Sequence, residues 1–186
     1  MVVRTWNRFG RGGLFLVVLG VLVSALLMVG QGQAQAQTVP LTDQETSDLL
    51  FLREEEKLAR DVYLVLYDTW HTRIFTNIAK SEQNHMDAVL LLLEKYKLTD
   101  PASPSPGVFN NSELQGLYNY LIGFGSGSLT DALKVGVIIE NRDIQDLNTF
   151  VAETQKFDLQ TVYNNLKDGS ENHLAAFTSE LKKRVK

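Results

Sequence analysis

The sequence predicts an all-α protein, a four-helix bundle whose second and third helices are joined by a long crossover. The main observation is helical periodicity, since apolar residues recur at alternating steps of three and four in four long blocks. No stretch alternates apolar and polar residues for long enough to indicate a sheet. A single break rich in proline and glycine, KLTDPASPSPGVFNN, separates the second block from the third. Two short connections and one long one fit two helical hairpins with a crossover between them.

The ends of the helices follow from capping residues and from breaks in the periodicity. The first helix begins after Thr42, an N-cap with Glu45 three residues later, and runs to about Trp70. The other predicted helices are the long blocks 73–96, 128–154 and 158–183, and a short extra helix, 112–122, within the crossover.

The first 36 residues have the composition of a targeting segment. Three arginines precede an unbroken apolar run, LFLVVLGVLVSALLMV, and the small residues Ala34 and Ala36 follow it. This order predicts a signal peptide at 1–36, cleaved after Ala36, and therefore a secreted or periplasmic protein. The alternative is an uncleaved N-terminal membrane anchor with the domain outside the cytoplasm. We expect a linker at 37–41 and the bundle domain at 42–184.

The composition excludes several classes of function. The chain has 186 residues and no cysteine, which excludes disulfide scaffolds, thiolate metal sites and cysteine nucleophiles. Its 22 acidic residues outnumber its 18 basic ones, and all the acidic residues follow the targeting segment. We therefore expect no nucleic-acid partner, and no membrane partner after signal cleavage, because both bind to clustered basic side chains.

The four long helices share a polar layer halfway along their apolar rows. Its members are Glu56, Glu82, His85, Glu140, Asp143, Ser170 and His173. Residues three apart face the same way on a helix and are separated by about 4.5 Å along its axis. Glu82 and His85 can therefore address a common point, and so can Glu140 and Asp143.

This layer predicts a pair of divalent cations. Four buried carboxylates would repel one another and lose their hydration, whereas two divalent cations would cancel their charge. Neutral imidazoles would complete the coordination as nitrogen donors. Oxygen-rich ligation with imidazole suits iron or manganese, and zinc accepts the same donors. The predicted metal ligands are Glu56, Glu82, His85, Glu140, Asp143 and His173.

Four stretches of the sequence resemble ferritin-like proteins. EKLARDVY is similar to the E-x-x-A-R-x-x-Y pattern of rubrerythrins, SEQNHM to their E-x-x-H helix, and ENRD to their E-x-x-E helix. With GSENHLAAF, and in this order, they resemble a secreted prokaryotic family of ferritin-like domains of unknown function over residues 41–184. The resemblance implies a ferritin-like, up-down bundle, a glutamate position for Asp143 and a place near the metals for Tyr63. A homodimer is expected by analogy only.

The fourth helix departs from the pattern of the superfamily. A Glu-x-x-His pair is expected there, and this chain has Ser170 and His173 instead. Glu171 follows one residue later, about 100° around the helix, and is expected to face away. Three outcomes remain open: Asp143 replaces the missing carboxylate, a water held by Ser170 occupies its place, or only one metal binds well.

The resulting prediction is a di-iron or di-manganese oxidase, with two metals per chain, acting on ferrous iron with dioxygen or peroxide. The predicted catalytic residues are Glu56, Glu82, His85, Glu140 and His173. One alternative is a metal-binding or storage module without turnover. Another is a structural bundle whose polar layer fixes the helix register.

The register of the first helix also has an alternative. Glu56 falls in the apolar row, but Glu55 fits a neighbouring row with Phe51 and Leu58. In the preferred register, Glu54 and Glu55 lie on a solvated face and Glu56 points inward.

Overall fold

The computed structural model describes residues 39–184, which form five α-helices and no strand. The predicted all-α class is therefore confirmed. The helices are α1 (Asp43–Trp70), α2 (Arg73–Tyr96), α3 (Ser112–Gly125), α4 (Leu129–Glu153) and α5 (Phe157–Arg184). None of the helices in this range is both long and apolar enough to cross a membrane. The signal peptide predicted at 1–36 lies outside the described residues and stays a prediction.

Local hydrogen bonds account for where the helices begin and end. Thr42 caps α1 with a capping box: its Oγ1 accepts from the Glu45 amide at 3.1 Å, and the Glu45 carboxylate accepts from the Thr42 amide at 2.8 Å. Asn111 caps α3 by accepting from the amides of Glu113 and Leu114, and Ser128 caps α4 by accepting from the amide of Asp131. Helix α1 ends at His71, whose left-handed backbone (φ 48°) lets the chain turn into α2 within two residues.

The four long helices form two pairs. Helix α1 packs on α2, and α4 packs on α5; the pairs then meet through contacts of α1 with α4 and of α2 with α5. Helix α3 lies against α1 and α4. The loop of residues 97–111, called here the crossover loop, joins α2 to α3.

The apolar interior consists of two clusters. One contains Tyr63, Phe75 and Phe177, whose rings contact one another, and the other contains Leu93 and Tyr163. On each of the four long helices, the predicted polar layer falls between the residues of one cluster and those of the other. The fold therefore places the polar layer in the middle of the core.

The outer side of α1 is covered by the crossover loop, which corrects one prediction. Glu54 and Glu55, expected on a solvated face, are only 4% and 3% exposed. Glu54 accepts hydrogen bonds from the amides of Asn110 at 2.6 Å and Asn111 at 3.0 Å. Arg142 of α4 donates to Glu55 at 3.0 Å. The prediction of a solvated face was wrong because both carboxylates are covered by parts of the chain that are distant in sequence.

Two basic residues complete this outer face of α1, defined here as Arg53, Glu54, Lys57 and Asp61. Arg53 donates to both carboxylate oxygens of Asp100, at 3.0 and 2.7 Å. Lys57 donates to Asp61 at 2.6 Å and to two carbonyls of the crossover loop at 3.1 Å. Each charged group on the outer face is therefore hydrogen-bonded, and this fixes the rotation of α1 about its axis.

Candidate metal centre

Two groups of acidic and imidazole side chains meet between the long helices. The first is Glu56, Glu82 and His85, and the second is Glu82, Glu140 and His173. Within each group, one potential ligand atom from each residue lies within 4.8 Å of the others. Because Glu82 belongs to both groups, these five residues form a single unit, called here the acid–histidine centre.

Glu82 lies between the two histidines and contacts each with a different oxygen. Its Oε2 is 2.8 Å from Nδ1 of His85, and its Oε1 is 2.9 Å from Nδ1 of His173. Nδ1 of His85 is also 3.2 Å from Glu56 Oε2, and Nδ1 of His173 is 3.5 Å from Glu140 Oε2. The two halves of the centre thus have the same composition: the shared Glu82, one further glutamate and one histidine.

The acids of the centre lie deeper than its histidines. Glu56, Glu82 and Glu140 are 1% exposed, while His85 and His173 are 9% exposed. The two imidazole rings are stacked, with centroids 5.6 Å apart. The histidine side, contributed by α2 and α5, is therefore the side of the centre nearest to solvent.

Several atoms of the centre are buried without a hydrogen-bond partner. Within residues 39–184, they include Glu56 Oε1, Glu82 Oε1 and His173 Nδ1. Glu82 Oε1 and His173 Nδ1 are close, but their geometry is not that of a hydrogen bond. Buried polar atoms are rarely left unsatisfied. Carboxylate oxygens and imidazole nitrogens that converge with their hydrogen bonding incomplete fit a bound cation.

The protonation of the metal-free centre reflects burial and mutual contact. Burial raises the pKa of Glu56 to about 7 and that of Glu140 to about 7. Burial also favours a higher pKa for Glu82, but the Nδ1 atoms of His173 and His85 lie so close to its oxygens that they outweigh burial and lower the pKa. Burial opposes charge on the imidazoles, yet the neighbouring carboxylates raise the pKa of His85 to about 11 and that of His173 to about 9. A cation entering the centre would therefore displace protons from the histidines.

Tyr63 orients one of the glutamates. Its buried hydroxyl donates a hydrogen bond of 2.6 Å to Glu140 Oε1, which leaves Oε2 on the side of His173. Burial and the adjacent Glu140 hold the pKa of the Tyr63 phenol well above its usual value. Tyr63 is therefore a neutral hydrogen-bond donor to the centre, close to where the resemblance to rubrerythrins placed it.

Asp143 and Ser170 form a pair beside the centre. Asp143 belongs to neither group of possible ligands. The Ser170 hydroxyl donates to Asp143 Oδ2 and lies 3.0 Å from the carbonyl of Leu166. Asp143 Oδ1 is buried without a partner, so the predicted role of Asp143 as a ligand depends on this oxygen. Glu171 is exposed and faces away from the centre.

Sequence reasoning missed one residue that touches the centre, Gly169. A Cβ atom there would lie 2.6 Å from Nε2 of His85. The available signal was a glycine in the interior of α5, directly before Ser170, where a helix ordinarily disfavours it.

Known proteins of similar sequence and structure cover most of the chain. It is 51% identical over 143 residues to uncharacterized protein MJ0754 of Methanocaldococcus jannaschii, spanning 76% of this chain and 77% of that protein. The crystal structure of hypothetical protein MJ0754 from Methanococcus jannaschii DSM 2661 matches with a TM-score of 0.78 and 49% identity, covering 79% of this chain and 85% of that one.

A more distant structure shares the fold alone. The crystal structure of a DUF305 fragment from Deinococcus radiodurans matches with a TM-score of 0.59 and 12% identity, over 78% of this chain and 99% of that one. Residues 45–186 match the family described as "Uncharacterized protein domain (DUF2202)". The match spans most of the chain, and the identity to MJ0754 is far above what fold similarity alone requires. The chain therefore belongs to the DUF2202 family.

Proposed function

We propose that this protein is a ferritin-like di-metal oxidase that acts outside the cytoplasm. In this proposal the acid–histidine centre binds two divalent ions of iron or manganese and oxidises ferrous iron with dioxygen or hydrogen peroxide. The observation that carries the proposal is the position of Glu82, whose two oxygens contact the histidines of two equivalent halves. A carboxylate shared between two acid and imidazole groups on facing helices resembles the donor set of carboxylate-bridged di-metal proteins, except that α5 provides His173 without a glutamate.

The carboxylates of the centre, together with the neighbouring Asp143, could balance the charge of two dications. Within residues 39–184, the ion pairs of Glu56, Glu82 and Glu140 are formed with histidines alone. Three buried carboxylates without a lysine or arginine partner are costly in free energy unless protons or metal ions compensate them. Iron and manganese suit this mixture of oxygen and nitrogen donors, and zinc also accepts it. When bound, iron or manganese supplies one-electron redox chemistry that these side chains lack.

The residues of the centre have distinct tasks in this proposal. Glu82 would bridge the halves, while Glu56 and Glu140 would each complete one of them. His85 and His173 would lose their protons and present neutral Nδ1 atoms. Tyr63 would keep Glu140 in place through its hydrogen bond. In the overall reaction two ferrous ions, the substrate, lose one electron each, and hydrogen peroxide takes both electrons and two protons to form two water molecules.

The arrangement of the helices supports a ferritin-like bundle. Two helical pairs, α1 with α2 and α4 with α5, are joined by one long connection that carries the short α3. One crossover between two hairpins is the topology of ferritin-like folds. Metal sites of such bundles lie in the core, on side chains from facing helices, and here they come from α1, α2, α4 and α5.

The test combines metal analysis with oxygen consumption. The protein is loaded anaerobically with ferrous iron, desalted and analysed for iron, and then exposed to air or to hydrogen peroxide. We expect about two irons per chain, loss of the ferrous signal and consumption of the oxidant. Glu82→Ala is the matched variant and should abolish both iron retention and turnover. The absence of bound iron after this loading, and of bound manganese after the same loading with Mn²⁺, would refute the proposal.

Metal binding without turnover is the second candidate, and Ser170 favours it. This residue stands where a further carboxylate is expected, and its hydroxyl is bound to Asp143. A centre with fewer carboxylates stabilises the oxidised metal less. This candidate predicts stoichiometric metal retention with no consumption of dioxygen or peroxide, so the same experiment separates the two.

A further inference from the structure

Gly169 lies inside a long helix where its backbone does not require glycine. Helix α5 runs from Phe157 to Arg184, and within residues 39–184 the only glycine with a positive φ is Gly107. A glycine in a helix interior is destabilising relative to alanine, because it loses more conformational freedom on folding. Some close approach must therefore account for the glycine at position 169.

The close approach is made by His85. A Cβ atom on residue 169 would lie 2.6 Å from Nε2 and 2.8 Å from Cε1 of this imidazole, closer than real Cβ contacts. The other edge of the ring is held as well, since Nδ1 is 2.8 Å from Glu82 Oε2 and 3.2 Å from Glu56 Oε2. The ring fills the gap between the α5 backbone and the carboxylates, and no room is left for a methyl group.

Other glycines of the helices do not have this relation to the centre. Gly125 would meet Leu66 at 2.7 Å and Gly136 would meet Phe177 at 2.6 Å, both in the apolar core. Gly116 and Gly123, in α3, have nothing within 4 Å of an added Cβ. Among the described glycines, Gly169 alone would contact a side chain of the acid–histidine centre.

We propose that Gly169 is a positioning residue for His85. By leaving room for the imidazole, it sets the distance of Nδ1 from Glu56 and Glu82 and so determines the affinity of that half of the centre. The inference rests on the proposed metal binding. It concerns one half only, because His173 directs its Nδ1 toward Glu82 and Glu140.

The experiment compares Gly169→Ala with Gly116→Ala and Gly125→Ala. Zn²⁺ is the probe, because it accepts these ligands and undergoes no redox reaction, and binding is followed by isothermal titration calorimetry. We expect two zinc ions in the wild type and in both controls. In Gly169→Ala we expect one of the two sites to weaken on the order of 10–100-fold, the usual effect of disturbing a residue that orients a ligand.

A second measurement uses the metal-free protein. The chain has three histidines, so ¹H–¹⁵N spectra of their rings resolve each one, and His71, exposed at the end of α1, serves as the reference. Gly169→Ala should shift the ring signals of His85 and leave those of His71 unchanged. Unchanged His85 signals together with two wild-type zinc affinities would overturn the positioning role. If the wild type retains neither zinc nor the iron of the loading experiment, the proposed function fails, while the shift of His85 still decides whether Gly169 positions it.

A double variant covers the case in which Gly169→Ala does not fold. His85→Ala removes the ring, and adding Gly169→Ala to it should then raise the melting temperature, because alanine favours the helix. The added substitution should also leave the remaining zinc affinity unchanged. If the double variant is less stable than His85→Ala alone, the methyl group clashes with something other than His85 and the proposal is wrong.

Discussion

Helix α1 buries charged side chains on two different faces, and the two faces differ in how charge is balanced. Lys57 of the outer face and Glu56 of the acid–histidine centre are both 1% exposed. Lys57 has a carboxylate and two carbonyls as partners, and Asp61 accepts from Lys57, Arg60 and the backbone. Glu56 contacts His85, and one of its oxygens has no hydrogen-bond partner. The charged side chains are equally buried on the two faces, but only on the outer face are their charges balanced by oppositely charged side chains and backbone groups.

The difference shows which buried acids serve the fold and which are available to a ligand. On the outer face, charges pair within the chain and tie the crossover loop to α1, so they need nothing from outside. In the centre, three acids share two histidines and retain unpartnered oxygens. A buried acid that is paired with a basic side chain is already compensated within the chain, whereas Glu56 and Glu82 have, among the described residues, only histidines as ionic partners and are the ones that the proposed cations would compensate.

The largest expected effect comes from exchanging one acid on each face for its amide. Glu82→Gln should lose both metal ions, because it removes the charge and one acceptor oxygen shared by the two halves. Glu54→Gln, the matched control, should keep the full metal content while the free energy of unfolding falls by about 1–3 kcal/mol, since the bonds to Asn110 and Asn111 weaken. Metal analysis and urea denaturation measure both. Retention of one metal by Glu82→Gln would show that the halves are independent.

A smaller effect is expected from removing the cation of the outer face. Lys57→Met leaves Asp61 buried with Arg60 as its remaining cationic partner, so unfolding free energy should fall by about 3 kcal/mol. Metal content should not change, because Lys57 does not contact the centre. Lys57→Met combined with Asp61→Leu should recover part of the loss. A fall in metal content would mean that the two faces are coupled through α1.

The smallest expected effect is the pH dependence of the metal-free protein. The pKa of Glu56 rises from 4.5 to about 7 on folding, and that of Glu140 does the same, so the folded state favours their protonated forms. Their stabilisation is complete below pH 4.5 and is lost as pH rises toward 7. The raised pKa values of His85 and His173 act in the same direction above pH 6.5.

We therefore expect the free energy of unfolding to fall between about pH 5 and about pH 7. Urea denaturation of the metal-free protein at the two pH values measures this. Glu56→Gln should make the dependence shallower, because it removes one of the two acids whose pKa is raised. If the free energy of unfolding rises over this range instead, the raised pKa values of Glu56 and Glu140 are wrong.

Local sequence determines most of the helix ends, and tertiary contacts change the rest. Helix α2 spans Arg73–Tyr96 as predicted, and α1 begins after the predicted cap Thr42. Helix α3 instead continues beyond residue 122 to Gly125. Its glycines indicated an end, but Gly125 packs against Leu66 and its carbonyl accepts from the Trp70 indole at 2.9 Å. Those partners lie on α1, outside the reach of a local pattern.

The same distinction holds for the candidate centre. Helical periodicity selected seven side chains of the polar layer, because a row of a buried helix keeps one direction; five of them form the acid–histidine centre, and Asp143 and Ser170 pair beside it. It was insufficient for Glu54, whose partners Asn110 and Asn111 are 56 and 57 residues away. It also gave no sign that Ser170 would bind Asp143, because the contact joins two helices. Contacts between side chains of different helices depend on how the helices pack, and the residue pattern of one helix does not contain this information.

The three successive glutamates of α1 make the length of this segment as important as its charge. Glu54 is bound by the crossover loop, Glu55 by Arg142, and Glu56 belongs to the centre. Each step along a helix turns the side chain by about 100°. Deleting any one glutamate would leave a nearly identical sequence yet rotate the preceding turns by about 100° relative to the rest of α1. Leu52 could then no longer lie in the apolar core while the residues of the outer face keep their hydrogen bonds. Homologues are therefore expected to tolerate substitutions here more readily than a gap.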